Sequence, residues 1–260
     1  MPTNSKTLSP APDNFIVVIP SRGRIQLAVK SEQLFGSCNP VVCVSESEKD
    51  DYSRACKNVI THPDEVSGIG RIRAWILENF TQEVVVMADD DVSHVWCNMY
   101  RTGFAINNPN VVFEILANAA NVTADLGLHV FGFSQALDVR KYNATKPINL
   151  TGWVGGLVGF VGRRDYKYST NCLRADIDYC LQSLQEDRII YQDNRYAFVH
   201  QRFGLSGGNS ANRSMARDNE ELKYLLLKWG RYLDAKVTDA GTLRLMVRVV
   251  RKAKSILLQA

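Results

Sequence analysis

A chain of 260 residues with 45% apolar side chains is long enough to bury one large α/β core, and its six cysteines, irregularly spaced and without a C-x-x-C pair, argue against a zinc site or a disulfide framework. The formal charge is +4, but residues 241–260 carry five cations and no acid, which leaves +4 − 5 = −1 for the first 240 and confines any polyanion contact to the tail. A polar, proline-bearing leader over residues 1–14 and the lack of an apolar run of about eighteen residues argue against a secretory signal and a membrane span, so a cytoplasmic protein with reduced thiols is expected.

In chain order, "FIVVIPSRGR" predicts a strand over Phe15–Ile19 that breaks at Pro20 into a turn, and "VVCVSE" a second strand over Val41–Glu46, with a helix between them near 26–34. Apolar residues Ile69, Ile72, Ile76 and Phe80 recur at helical spacing, and "EVVVMA" then reads as a strand buried on both faces. Asn108 as cap, Pro109 at the first helical position and Gly127 at the end delimit the next helix. "HVFGFSQ" and "GWVGGLVGFVG" read as strands, the second interrupted by glycines at 152, 155, 156, 159 and 162. A helix from about Asp176 buries Ile177, Leu181 and Leu184, a strand pair turns at Asp193-Asn194 and carries His200, and "FGLSGGNSANRS" is a loop. Two helices, roughly 218–233 and 242–258, finish the chain. This alternation predicts an α/β fold with a mostly parallel, Rossmann-like central sheet, helices on both faces and a helical C-terminal extension over 216–260 whose last helix is basic.

The chemistry gathers at "ADDDV". If extended backbone continues past Ala88, Asp89 and Asp91 point to one face and Asp90 to the other, which makes a two-carboxylate claw at the edge where open α/β sheets bind ligands. Paired carboxylates repel unless a cation separates them, and their oxygens suit Mg²⁺ or Mn²⁺.

Taken in order, "FIVVIPSRGR", "GIGRIRAWILENF" and "EVVVMADDDV" resemble GT-A glycosyltransferases over about residues 15–215, and the opening "IPSRGR" with "DDD" is similar to the TET-associated glycosyltransferase family of phages. The resemblance implies a UDP-sugar donor, a divalent metal and a hydroxymethylated pyrimidine in DNA, such as 5-hydroxymethylcytosine, as acceptor. It places Pro20, Ser21, Arg22 and Arg24 at the nucleotide, prefers Arg71 to Arg73 as a donor contact, sets Asp89 against the ribose and puts Asp91 on the metal with His200. Asp90, turned the other way, is grouped with the nucleotide-sugar residues. The acceptor's base is sought in "ADIDYCL": if Asp176 caps its helix, Asp178 is the freer carboxylate, and the choice between them stays open. A single base acting on the acceptor implies inversion; retention is the other outcome.

Residues outside those motifs complete the expected site. Gly207 and Gly208 can bring backbone N–H groups to a diphosphate, with Arg213 neutralising the leaving group. Trp153, Gly155 and Gly156 are candidate acceptor contacts, because glycines in a strand mark close approach and an indole can stack on a base. Arg244, Arg248 and Arg251 would line one face of the last helix and meet DNA phosphates. Two other functions share parts of this pattern: a glycosyltransferase with a glycan, protein or small-molecule acceptor, and a non-catalytic nucleic-acid-binding protein.

Overall fold

The structure, a computed structural model, describes residues 14–162, 166–169, 174–201, 215–237 and 243–248. Its centre is β1 (Phe15–Pro20), an all-apolar strand buried along its whole length, as a strand covered on both faces must be. β1 pairs in parallel with β2 (Pro40–Ser45) on one side and with β4 (Val84–Ala88) on the other, and β3 (Val59–His62) adds to β2. Beyond β4 lie β9 (Leu157–Val161), β7 (Val130–Phe133), β10 (Tyr191–Asp193) and β8 (Ile148–Asn149), in the order β3-β2-β1-β4-β9-β7-β10-β8. Six strands run one way; β9 and β8 run against them.

Alternation along β1 and β4 splits the core in two. Phe15, Val17, Ile19, Val84 and Val86 face α1 (Ile25–Leu34) and α4 (Pro109–Asp125). Ile16, Val18, Val85 and Met87 face α3 (Ile69–Asn79) and α5 (Ala175–Glu186). Helices therefore cover both faces, as the sequence pattern requires. The α4 signals act as expected: the Asn108 side chain accepts from Asn110 N, Pro109 opens the helix, and Gly127 follows its end at φ +65°. A short α2 (Lys49–Ser53) brings Tyr52 under β2.

Two features were not expected. β4 stops at Ala88, the aspartates form a turn, and the chain enters β5 (Val92–Cys97), the middle strand of a small antiparallel sheet β11-β5-β6, with β11 Tyr196–His200 and β6 Phe104–Ile106. Then, after α6 (Met215–Trp229), the chain forms a hairpin of β12 (Leu233–Val237) and β13 (Leu243–Val247), so the helix expected over 242–258 is corrected to a strand across 243–247. There Leu245 packs inward while Met246 stays exposed, a period of two rather than 3.6. The strand expected across 152–162 is likewise corrected: 152–156 is loop, and β9 begins at Leu157. Five described cysteines are buried and unbridged. Among the described residues no helix is long and apolar enough to cross a membrane.

Candidate active site

Asp89, Asp90 and Asp91 sit at the carboxyl end of β4, where a turn divides them. Asp89 N donates to Gly156 O at 2.8 Å, and Asp91 O accepts from Gln201 N at 2.9 Å. These main-chain bonds fix the turn against the approach to β9 and the end of β11. The result is a half-buried group in which ligand atoms of Asp89, Asp91 and His200 all lie within 4.8 Å of one another. His200 Nδ1 is 2.8 Å from Asp91 Oδ1. Asp89 and Asp91 thus share a face as expected, but through a turn rather than a continued strand, and Asp89 lies in the group that could hold a metal ion. Two carboxylates and an imidazole are a donor set that fits Mn²⁺ or Mg²⁺.

Asp90 turns back toward β1. Its carboxylate accepts from Ser21 Oγ at 2.7 Å and faces Arg24 Nη1 at 3.4 Å, while Ser21 Oγ also lies 2.8 Å from Tyr52 Oη. Burial outweighs these partners and pushes the Asp90 carboxyl up to about 6. Ser31 Oγ lies 2.9 Å from both Asp90 O and Val92 O, which ties the turn to α1. Of the expected nucleotide residues, Pro20 and Ser21 are buried, Arg24 is half-buried against Asp90, and Arg22 is exposed. Tyr52, not foreseen, holds the turn from beneath by accepting from Arg24 N at 2.9 Å.

Arg71 and Arg73 have different surroundings. Arg71 is exposed, whereas Arg73 is 6% exposed and its Nη2 lies 2.8 Å from Asp89 Oδ1. Arg73 falls four residues after Ile69 and three before Ile76, on the apolar stripe of α3. That position was the available signal, since a cation on a buried face needs a buried anion. Its guanidinium also stands 5.8 Å from the ring centre of Tyr168, a residue the sequence did not single out.

α5 separates the two candidate bases. Asp178 is fully buried and is held by Trp229 Nε1 at 2.6 Å, Lys228 Nζ at 2.8 Å and Gln182 Nε2 at 3.1 Å. The expectation that Asp178 is the freer carboxylate is therefore overturned: it is a pin for α6, on the side of α5 away from the aspartate turn. Asp176 is half-buried, accepts from its neighbour Ile177 N at 2.9 Å, and does not cap the helix, whose N-cap is Arg174. Burial raises its carboxyl above the ordinary value; Arg73 pulls the other way and Asp89 adds to the rise.

Gly155 and Gly156 make this assembly possible. A Cβ on Gly155 would collide with the Asp176 carboxylate, and one on Gly156, at φ +74°, would lie 2.5 Å from His200 Nε2. Gln135 Nε2, also unforeseen, fixes the loop by donating to Gly155 O at 2.8 Å. Trp153 is half-buried and packs between the main core and the α6 cluster. Arg248 pairs with Asp234 at 2.6 Å, and Arg244 lies in β13, so the expected row of three arginines on one helix face does not form over these two. Gly207, Gly208, Arg213 and Arg251 lie outside the described residues.

The sequence profile of TET-associated glycosyltransferases matches residues 15–208. No curated protein matches the chain. Among solved structures, Staphylococcus aureus TarS (1–349) is 14% identical with a TM-score of 0.42, over 70% of this chain and 59% of TarS. The chain thus spans less than two thirds of TarS. CMP:2-keto-3-deoxy-manno-octonic acid synthetase complexed with CTP is 11% identical (TM-score 0.42), over 82% of this chain and 98% of that one. The inositol-1-phosphate CTP transferase of T. maritima is 9% identical (TM-score 0.38), over 80% and 96%.

Proposed function

The chain belongs to the TET-associated glycosyltransferase family, and from that premise we propose that it moves a sugar from a UDP-sugar to a hydroxyl of a hydroxymethylated pyrimidine in phage DNA. One juxtaposition supports this most directly: the Asp89, Asp91 and His200 group and the half-buried Asp176 meet across Arg73 and the Gly155-Gly156 turn. The first set suits a nucleoside diphosphate and its cation, the second an incoming hydroxyl.

Asp89, Asp91 and His200 would hold the divalent ion, which when bound offsets charge on the leaving diphosphate. Arg73 keeps Asp89 oriented and compensates its charge. The Asp90 carboxyl and Ser21 shape the turn after β1 on which the nucleotide rests, with Arg24 beside them. Asp176 takes the proton from the acceptor hydroxyl as its oxygen attacks the sugar carbon, a single displacement that inverts the anomeric centre. A raised carboxyl suits that task, because a base is most effective when its pKa lies nearer the working pH. A base inside a duplex has to be flipped out to reach Asp176.

The test is direct. Incubate the protein with Mn²⁺, a panel of UDP-sugars, and plain or hydroxymethylated DNA, then weigh the nucleosides. A hexose or pentose mass gain confined to the hydroxymethylated DNA is expected, lost on chelation and restored by added Mn²⁺ or Mg²⁺. UDP release and sugar transfer only to glycan or small-molecule acceptors would refute the DNA assignment.

A further inference from the structure

Asn98, 3% exposed at the far end of β5, knots three chain segments together. Its N–H donates to Arg195 O at 2.8 Å, and its Nδ2 donates to Asn194 O at 3.2 Å and Ala136 O at 3.4 Å. Asn194 N in turn donates to Pro147 O at 2.8 Å. Around this knot emerge Met99, Tyr100, Phe104, Leu137 and Ile148, which are five of the ten large apolar side chains exposed among the described residues. Such a concentration on two short segments marks an interaction surface rather than scattered exposure.

The two aromatic rings are held ready. Tyr100 is 59% exposed and Phe104 45%, with ring centres 5.4 Å apart and planes at 54°. Between them Gly103, at φ +61°, donates to Tyr100 O and packs so closely on Trp96 that a Cβ would lie 2.6 Å from the indole. The same two segments, 98–104 and 135–148, carry Arg101, Arg140, Lys141 and Lys146 against one acid, Asp138. That is 4 − 1 = +3 in a chain whose total is +4. Arg101, Lys141 and Lys146 are exposed; Arg140 is taken by Asp138 at 2.9 Å.

A face of stacking rings among cations fits a strand with bare bases and a phosphate backbone. It is also continuous with the candidate site. β5 starts beside Asp91 and ends at this knot, and β11 returns from it to His200. A six-residue strand spans roughly 20 Å, so the face lies within reach of a chain running out from the candidate site. We propose that this face holds the single-stranded DNA flanking the modified base, its bases on Tyr100 and Phe104 and its phosphates on Arg101, Lys141 and Lys146. The inference rests on the DNA-acceptor assignment above, and it moves strand binding from the C-terminal arginines to the carboxyl edge of the main sheet.

Two variants of the full chain test it: Tyr100→Ala with Phe104→Ala, and Arg101→Glu with Lys141→Glu and Lys146→Glu. Binding of a fluorescently labelled single-stranded oligonucleotide is followed by anisotropy across a salt series, beside sugar transfer to a hydroxymethylated mononucleotide too short to reach the face. The aromatic pair should raise Kd about tenfold or more, and the charge variant should also flatten the salt slope by roughly two. Transfer to the mononucleotide should continue at the unaltered protein's rate in both. Unchanged oligonucleotide binding in both variants, while the unaltered protein modifies DNA, overturns this inference alone. If the unaltered protein neither binds nor modifies DNA yet glycosylates another acceptor, the DNA assignment falls and this inference with it.

Discussion

Asp176 and Asp178 are two residues apart on one helix and have opposite fates, because side chains two apart in a helix do not face the same way. Asp176 looks over the glycine turn and Asp178 into α6. In the proposed role of base Asp176 must be ionised, and burial sets its pKa above the ordinary value of 3.8. The rate is therefore lost as pH falls through that raised value, so the acid limb of a kcat/KM profile should lie above the usual aspartate range. Asp176→Asn should lower kcat by about 10²–10⁴ and abolish the limb, as measured by UDP release across pH. Asp178 predicts the reverse. Trp229→Phe keeps an aromatic but smaller ring and removes the 2.6 Å donor to a buried carboxylate, which should cost about 1–3 kcal/mol or more in urea unfolding while kcat of the folded fraction is kept. Sequence alone leaned toward Asp178, on the premise that Asp176 caps the helix, because the real distinction depends on what covers α5. The choice between Arg71 and Arg73, by contrast, was legible in the apolar stripe of α3.

Strands and helices with one dominant signal are found where the sequence puts them. β1, β4 and α4 rest on unbroken apolar runs or on paired start and stop residues. The misread elements are those whose patterns satisfy two periods. Leu243, Leu245 and Val247 fall on every second position as in a strand, yet Arg244 and Arg248 also fall at helical spacing, and pairing with β12 decides the outcome. β5 was hidden because the aspartates looked like the end of a strand rather than a turn between two. The stretch from 152 to 156, expected to be strand, is a loop, and its glycines admit Asp176 and His200 to the same place. Gly156→Ala places a Cβ on a residue at φ +74° and against the His200 ring. It should destabilise the fold by about 1–3 kcal/mol and weaken Mn²⁺ binding at least tenfold, checked by metal titration alongside thermal melting.

At the scale of the molecule, the family match ends at residue 208, while the packed unit extends beyond it. Leu225, Trp229, Leu233 and Leu245 close over Ile177 and Leu181, and Lys228 and Trp229 satisfy Asp178. A chain cut at residue 214 would uncover that cluster and strand a buried charge. Removing a partner of a buried charge costs about 3–5 kcal/mol out of a typical 5–15. The truncated protein should aggregate or melt far below the full chain, as read by circular dichroism and gel filtration.

The bond from Asp89 N to Gly156 O joins the acidic turn to the loop beside Asp176 through main chain alone. Because β9 runs against its neighbours, the loop that carries Gly155 and Gly156 arrives at the same edge as that turn. The spacing between the two halves is thus set by backbone pairing, together with the missing side chains at Gly155 and Gly156. A change in the length of either loop would therefore move Asp89 and Asp176 relative to each other even with every side chain kept.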